Sequence, residues 1–121
     1  MILGNSFFLK KLLKLHSYVA GGDIGMIIAE LSITPLGEGT SVGKYVKIAL
    51  QVLKESRVKF ETHAMATVVE CESLEKLFEV VKKAHYSVLE AGAKRVITTL
   101  KIDDRRDKEA TIDSKLDSIK V

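Results

Sequence analysis

The sequence has one cysteine, one proline, no tryptophan and a low net charge. The low cysteine count and the low net charge narrow the class of protein. The single cysteine, Cys71, excludes an internal disulfide and favours a reducing, cytoplasmic compartment. The net charge is only +3, whereas proteins that bind nucleic acid usually carry a clustered basic stripe. We therefore expect no nucleic-acid partner.

A long hydrophobic run is missing as well. In residues 1–25, Lys10, Lys11 and Lys14 interrupt the apolar residues, so no run of about 20 apolar residues exists and no membrane span is expected. An amphipathic helix at a membrane surface is one interpretation of this segment. We favour another, in which residues 1–25 are a translated leader and the natural chain begins at Met26. The codons for GGDIGM can form a ribosome-binding site ahead of that methionine.

The remaining composition is that of an ordinary globular protein. With 121 residues, of which 46% are hydrophobic and 29% charged, the chain suits one domain with a real core. We assign that domain to residues 26–121.

After Met26, segments with the hydrophobic period of a strand and segments with that of a helix follow one another along the sequence. MIIAELSITP alternates as a half-buried strand ended by Pro35. Apolar residues at helical spacing predict a helix over 41–56. VKFETHAMATVVEC suits two short strands or one bent strand. A second helix is expected between a capping Ser73 and Gly92, and AKRVITTLKID is the last strand.

The order β-α-β-β-α-β predicts an α+β fold, the ferredoxin-like plait. In this fold a four-stranded antiparallel sheet carries two helices on one face. DDRRDK, at 103–108, is expected to form a salt-bridged turn, and residues 112–120 a short additional helix.

The second face of such a sheet, which we call the open face, would be uncovered. It would display Ile28, Glu30, Ser32, Thr34, Lys59, Glu61, His63, Arg95, Ile97, Thr99 and Lys101, with either Met65, Thr67 and Val69 or Ala66, Val68 and Glu70 from the third strand. A face of mixed polarity usually meets a subunit or a ligand. We therefore expect a homo-oligomer.

The segment SITPLGEGTSVGKYV looks like a phosphate-binding loop but lacks its spacing. That motif has four residues between its first glycine and the Gly-Lys pair, and a hydroxyl residue follows. Here five residues separate Gly37 from Gly43, and Tyr45 follows the lysine. We expect a strand-to-helix turn, with Thr40 or Ser41 capping the helix.

Other reactive side chains do not form a recognisable site. His63, Glu61 and Glu70 share one segment, but no His or Cys pair has ligand spacing, so no metal is predicted. Cys71 stands between two glutamates, which disfavour a thiolate, and should be inert. His85 is expected to be a surface or packing residue.

Four segments in order resemble a known family: ELSITPLGEGTSVGKYV, VKFETHAMATVVE, KKAHYSVLEAGAKRVITTLKIDDRRDK and TIDSKLDSI. From Met26 nearly to the C-terminus, the chain is similar to the small thiamine-binding proteins of archaea, bacteria and yeast. The resemblance implies a ferredoxin-like fold, subunits paired through their sheets, and dimers assembled into a tetramer. It also implies binding of thiamine or its hydroxymethylpyrimidine part, with no established catalysis and no further cofactor.

The chain departs from this family pattern at a few positions. Arg57 stands where relatives often have glycine, and a left-handed backbone there would cost roughly 1 kcal/mol or more. Ala64, Ala66 and Cys71 stand where proline, glycine and glycine are expected. The shape of a pocket around these positions is therefore harder to predict than the fold.

Recognition of an aminopyrimidine ring needs a few hydroxyls and a carboxylate on apolar walls. The candidate ligand residues are Ser32, Thr34, Thr40, Ser41, Thr67 and Thr99 for hydroxyls, Glu30 or Glu61 for the carboxylate, and His63 for stacking or hydrogen bonding. Alternatively, these residues satisfy one another at a subunit interface. A regulatory module that senses a small molecule and an enzyme acting on a thiamine-related substrate remain alternative functions.

Overall fold

The computed structural model describes residues 26–121, and these form the expected ferredoxin-like plait. The predicted leader, residues 1–25, lies outside the described residues. In chain order the elements are β1 (Ile27–Pro35), α1 (Gly43–Glu55), β2 (Lys59–Thr62), β3 (Thr67–Cys71), α2 (Leu74–Glu90), β4 (Val96–Asp103) and α3 (Ile112–Ser118). VKFETHAMATVVEC thus forms two strands, and His63 N–H donates to the carbonyl of Ala66 across the turn at 3.0 Å.

The sheet has the order β2-β3-β1-β4, and each neighbouring pair is antiparallel. The central strand β1 pairs with β4 from Ile28 to Pro35 but with β3 only from Ile27 to Leu31. Residues 32–35 of β1 therefore have a neighbouring strand on one side only.

Helices α1 and α2 pack on one face of the sheet, because Ile27, Ala29, Leu31 and Ile33 of β1 point there. The main core joins sheet and helix residues that are almost inaccessible to water: Ile27, Ala29, Leu31, Leu53, Val69, Cys71, Leu77 and Val80. Burial of apolar surface on this scale is the main stabilising term of a small domain.

The ends of α2 lie where the sequence predicted them, whereas the start of α1 differs from its prediction. The Ser73 side chain accepts a hydrogen bond from Lys76 N–H at 3.1 Å, and Gly92 has a φ of 117°. The predicted cap of α1 by Thr40 or Ser41 is wrong: α1 begins at Gly43 with no side-chain cap. The loop is instead held by a hydrogen bond of 2.6 Å from the Tyr45 hydroxyl to Glu38.

The expectation that helices cover only one face is also wrong in part, because α3 packs on the open face. Ile28 and Val68 of that face contact Ala110 and Ile112 in a small second core. These apolar strand residues would otherwise meet water, which explains why the short helix settles there.

Polar contacts fasten α3 to the sheet. The carboxylate of Glu70, only 8% exposed, accepts a hydrogen bond from Ile112 N–H at 2.8 Å. Lys59 pairs with Asp113 at 2.7 Å, and Lys115 of α3 pairs with Asp103 at 2.6 Å. The two ion pairs are solvent-exposed and contribute little, so the buried Glu70 contact is the principal polar anchor.

We predict that Glu70→Ala releases α3 from the sheet, because the buried Ile112 N–H loses its acceptor at a cost of roughly 1–3 kcal/mol. Hydrogen exchange of residues 112–118 should accelerate at least tenfold, while exchange in β1 changes much less. Glu70→Gln keeps an acceptor oxygen and is the matched control. Unchanged protection of α3 in Glu70→Ala would contradict this account.

Arg57, directly after α1, has a φ of 59°. This is the left-handed region, which costs a side chain other than glycine about 1–2 kcal/mol. The backbone at Arg57 is therefore left-handed, in a position where relatives often have glycine. The chain carries strain at this turn.

We predict that Arg57→Gly raises the free energy of unfolding by about 1 kcal/mol, since glycine adopts this conformation freely. Thermal denaturation should show a midpoint several degrees higher. Ser56→Gly serves as the control, because Ser56 has an ordinary φ of −78° and its hydroxyl donates to the Val52 carbonyl. That variant should lose stability, and a neutral or destabilising Arg57→Gly would refute the strain.

Candidate functional site

The candidate site lies where β1 loses its second neighbour. Beyond the pair Leu31–Thr67, β1 continues while β3 gives way to the turn at 63–66. This opens a gap, here called the notch, between residues 32–35 of β1 and that turn. Helix α1, together with Val42 before it, closes the notch from the helix side.

A pocket of about 220 Å³ occupies the notch. We call it the notch pocket. Its walls come from β1, α1 and the β2–β3 turn: Leu31, Ser32, Ile33, Thr34, Val42, Val46, Ala49, Leu50, Leu53, Thr62, His63, Ala64, Met65, Ala66 and Thr67. Most walls are apolar, and a few hydroxyls and one imidazole interrupt them, as is typical of sites for small organic ligands.

Four of the predicted ligand residues meet in this pocket, namely Ser32, Thr34, His63 and Thr67. The hydroxyls of Ser32 and Thr34 lie 3.4 Å apart. Thr67 is buried, and its hydroxyl lies 3.1 Å from that of Thr62. A hydroxyl can donate once and accept twice, so these pairs can still bond a ligand atom.

The register also settles which face the third strand presents. Thr67 pairs with Leu31 and therefore lies on the helix side, while Val68 and Glu70 lie on the open face opposite Glu30 and Ile28. Of the two alternatives left open for β3, the second is correct. Thr67 thus reaches the pocket from the side of the helices, not from the face that carries Thr99.

The other predicted ligand residues stand apart from the notch pocket. Glu30 and Thr99 lie on the open face, where they pair in register with Lys101 and Ser32. Thr40 and Ser41 are exposed in the loop before α1 and do not line the pocket. About half of the predicted ligand residues therefore lie together in the notch pocket.

His63 belongs to two pockets. A second pocket of about 240 Å³, the α3 pocket, lies between α3 and the open face and is lined by Ile28, Glu61, His63, Val68, Ile112, Lys115 and Leu116. The distance from His63 Nε2 to Glu61 Oε1 is 3.7 Å. The Glu61 carboxylate places negative charge beside the notch.

Val42, Val46 and Leu50 line the notch pocket from the side of α1, although they were not among the predicted ligand residues. Met65, at the tip of the turn, was likewise missed and is 90% exposed. A large apolar side chain at a turn tip is the one signal that could have drawn attention to it.

The remaining reactive residues, Cys71 and His85, do not line the notch pocket. Burial is the main cause that raises the pKa of Cys71 to about 11, and the nearby Glu72 and Glu70 add to it. The raised pKa disfavours the thiolate, mainly because the thiol is buried and only secondarily because of the neighbouring glutamates. His85 Nδ1 lies 2.6 Å from the Thr98 hydroxyl, which confirms a packing role.

The charged turn at 103–108 is salt-bridged as predicted. Arg105 pairs with Asp107, and Arg106 pairs with Asp104 at 3.0 Å. The contact with Arg105 lowers the pKa of Asp107 to about 2.

Two further findings concern the part of the chain from Met26 onward. Within it, no group of three or more His, Cys, Asp or Glu side chains could hold a metal ion. None of its helices is both long enough and apolar enough to cross a membrane.

Solved structures share this architecture. A protein from Methanocaldococcus jannaschii, MJ1052, has 48% identity and a TM-score of 0.74, covering 79% of this chain and 97% of its own. A domain of unknown function from Bacillus cereus has 33% identity and a TM-score of 0.70, covering 79% of this chain and 91% of its own. The fold and the notch therefore define a small protein of the ferredoxin-like α+β class.

Within that class the family is defined by sequence. A family model described as "Thiamine-binding protein" matches residues 29–120. A protein of Methanothermobacter thermautotrophicus is 49% identical over 96 residues, which cover 78% of this chain and 97% of that protein. This chain belongs to the family of thiamine-binding proteins.

A more distant structure shares the fold alone. The protein comes from Thermotoga maritima, and its name refers to thiamine biosynthesis or salvage. It is 22% identical with a TM-score of 0.68, covering 78% of this chain and 99% of its own.

Proposed function

We propose that this protein binds thiamine, or the hydroxymethylpyrimidine part of thiamine, in the notch pocket and does not convert it. The observation that carries the proposal is the meeting of Ser32, Thr34, His63 and Thr67 in one apolar-walled pocket. Membership of a family described as thiamine-binding supports the choice of ligand.

The chemistry of the pocket suits an uncharged heterocycle. An aminopyrimidine offers one amino donor group and ring nitrogens that accept hydrogen bonds. The hydroxyls of Ser32, Thr34 and Thr67 can serve both kinds of atom, and the imidazole of His63 can stack on the ring. Apolar side chains of α1, such as Val46 and Leu50, provide the opposite wall.

The cationic thiazolium ring would lie toward the mouth of the pocket. His63 and Glu61 stand together there, and Glu61 is about one-third exposed. A carboxylate in that position attracts a cation without the full cost of burying a charge.

Binding without catalysis agrees with the local contacts. A nucleophile and its base should lie within hydrogen-bond distance of each other. In the notch pocket the described hydroxyls contact other hydroxyls, and His63 contacts Glu61. Incubation with thiamine followed by mass spectrometry should recover thiamine unchanged.

We predict that Ser32→Ala combined with Thr67→Val weakens thiamine binding about tenfold or more, since two ligand hydrogen bonds are lost at roughly 1 kcal/mol each. Isothermal titration calorimetry measures the Kd. Thr40→Val is the control, because Thr40 is exposed in the loop before α1 and does not line the pocket, and it should bind as the unmodified protein does. Equal affinity in all three proteins would exclude the notch pocket.

We also propose that subunits pair through the part of the open face that α3 leaves uncovered, with dimers assembling further into a tetramer. This part carries Ser32, Thr34, Ile97 and Thr99, and Ile97 is 47% exposed. An apolar residue among hydroxyls at a sheet centre suits an interface that also contains polar contacts.

Ile97→Lys should reduce the assembly mass, because two lysines would face each other across the paired sheets. Native mass spectrometry gives this mass together with that of any retained ligand. Phe78→Lys is the matched control: Phe78 is 51% exposed but lies on α2, on the other side of the sheet. A loss of assembly in the Phe78 variant alone would move the interface to the helices.

A further inference from the structure

A groove lies where the end of α1 meets α2, apart from both pockets described above. Its volume is about 350 Å³, and it is lined by Val52, Glu55, Ser56, Arg57, Lys76 and Lys83. We call it the basic groove, because three cations from two elements face one carboxylate in it. It has no lining residue in common with the notch pocket.

The cations of the groove differ in what already neutralises them. Lys83 pairs with Glu79 at 3.2 Å, and the Glu55 carboxylate accepts a hydrogen bond from Gln51 at 3.0 Å. Within residues 26–121, neither Arg57 nor Lys76 forms an ion pair with a carboxylate. Arg57 therefore keeps its guanidinium donors available to an anion from solution, and Lys76, which also helps to lower the pKa of the Glu79 carboxylate, adds positive charge beside it.

Local structure does not account for where these two cations stand. Arg57 occupies a left-handed position at a φ of 59°, where glycine would be unstrained. Lys76 is half-buried in the first turn of α2, the end of a helix that favours negative charge. Strained or unfavourable placements of this kind concentrate at functional sites.

We propose that the basic groove binds the phosphoryl group of a small molecule that carries a phosphate or diphosphate. The guanidinium group of Arg57 can bind two phosphate oxygens at once, because its planar fork matches their spacing. Lys76 and Lys83 add positive charge from the facing helix. The proposal does not depend on the function of the notch pocket.

Calorimetric titration with inorganic diphosphate, at an ionic strength held constant with sodium chloride, tests the groove. The unmodified protein should bind diphosphate, and Arg57→Gly should bind it about tenfold or more weakly, as the loss of a charged hydrogen-bonded contact requires. The same variant is expected to be more stable without ligand, so its loss of binding cannot come from misfolding. Arg106→Gly removes an arginine outside the groove and should keep full affinity.

Lys76→Gln provides a second variant, which leaves the turn at Arg57 untouched and should also weaken binding. A parallel titration with inorganic phosphate distinguishes a site for one phosphoryl group from a site for two. Equal affinity in the unmodified protein, Arg57→Gly and Lys76→Gln would overturn the proposal, as would the absence of diphosphate binding to the unmodified protein.

Discussion

The unequal pairing of the central strand is the constraint on which the rest of the structure depends. β1 is paired along eight residues with β4 but along only five with β3. β3 therefore ends before residues 32–35 of β1, and the end of β1, the turn at 63–66 and residues of α1 enclose the notch pocket. A pocket with strand, helix and turn walls follows from this difference in length, without any insertion or extra element.

The two faces of the sheet are completed in different ways. Helices α1 and α2 cover the first face, and the buried apolar residues there form two clusters. On the second face, α3 covers one end, where Ile28 and Val68 need burial and Glu70 accepts the first N–H of the helix. The other end keeps its hydroxyls and Ile97 at the surface. α3 thus covers one half of the second face, and the other half can contact a ligand or another subunit.

The elements of the fold could be predicted because their signals are local. The alternation of residues 27–34, the cap at Ser73 and the glycine at 92 each act within a few residues of themselves. Contacts between distant residues could not be read in this way. Periodicity indicated a helix near 112–120 but not the face on which it packs, and the hydrogen bond from Tyr45 to Glu38 replaced the expected hydroxyl cap. The same reason limits what the sequence says about the notch pocket: strand alternation places Ser32 and Thr34 on one face of the sheet, whereas the side on which Thr67 lies depends on how β3 pairs with β1.

The position of β1 in the sheet has a consequence for the order in which the chain can fold. β1 is the first element of the described chain to leave the ribosome, yet its longest pairing is with β4, more than 60 residues later. Pairings across such a separation close a large loop and form slowly. Until β4 emerges, one edge of the central strand has no strand beside it, so the nascent chain presents to its surroundings an unpaired backbone of the kind that promotes aggregation. The strand made earliest is thus the last to receive its full set of partners.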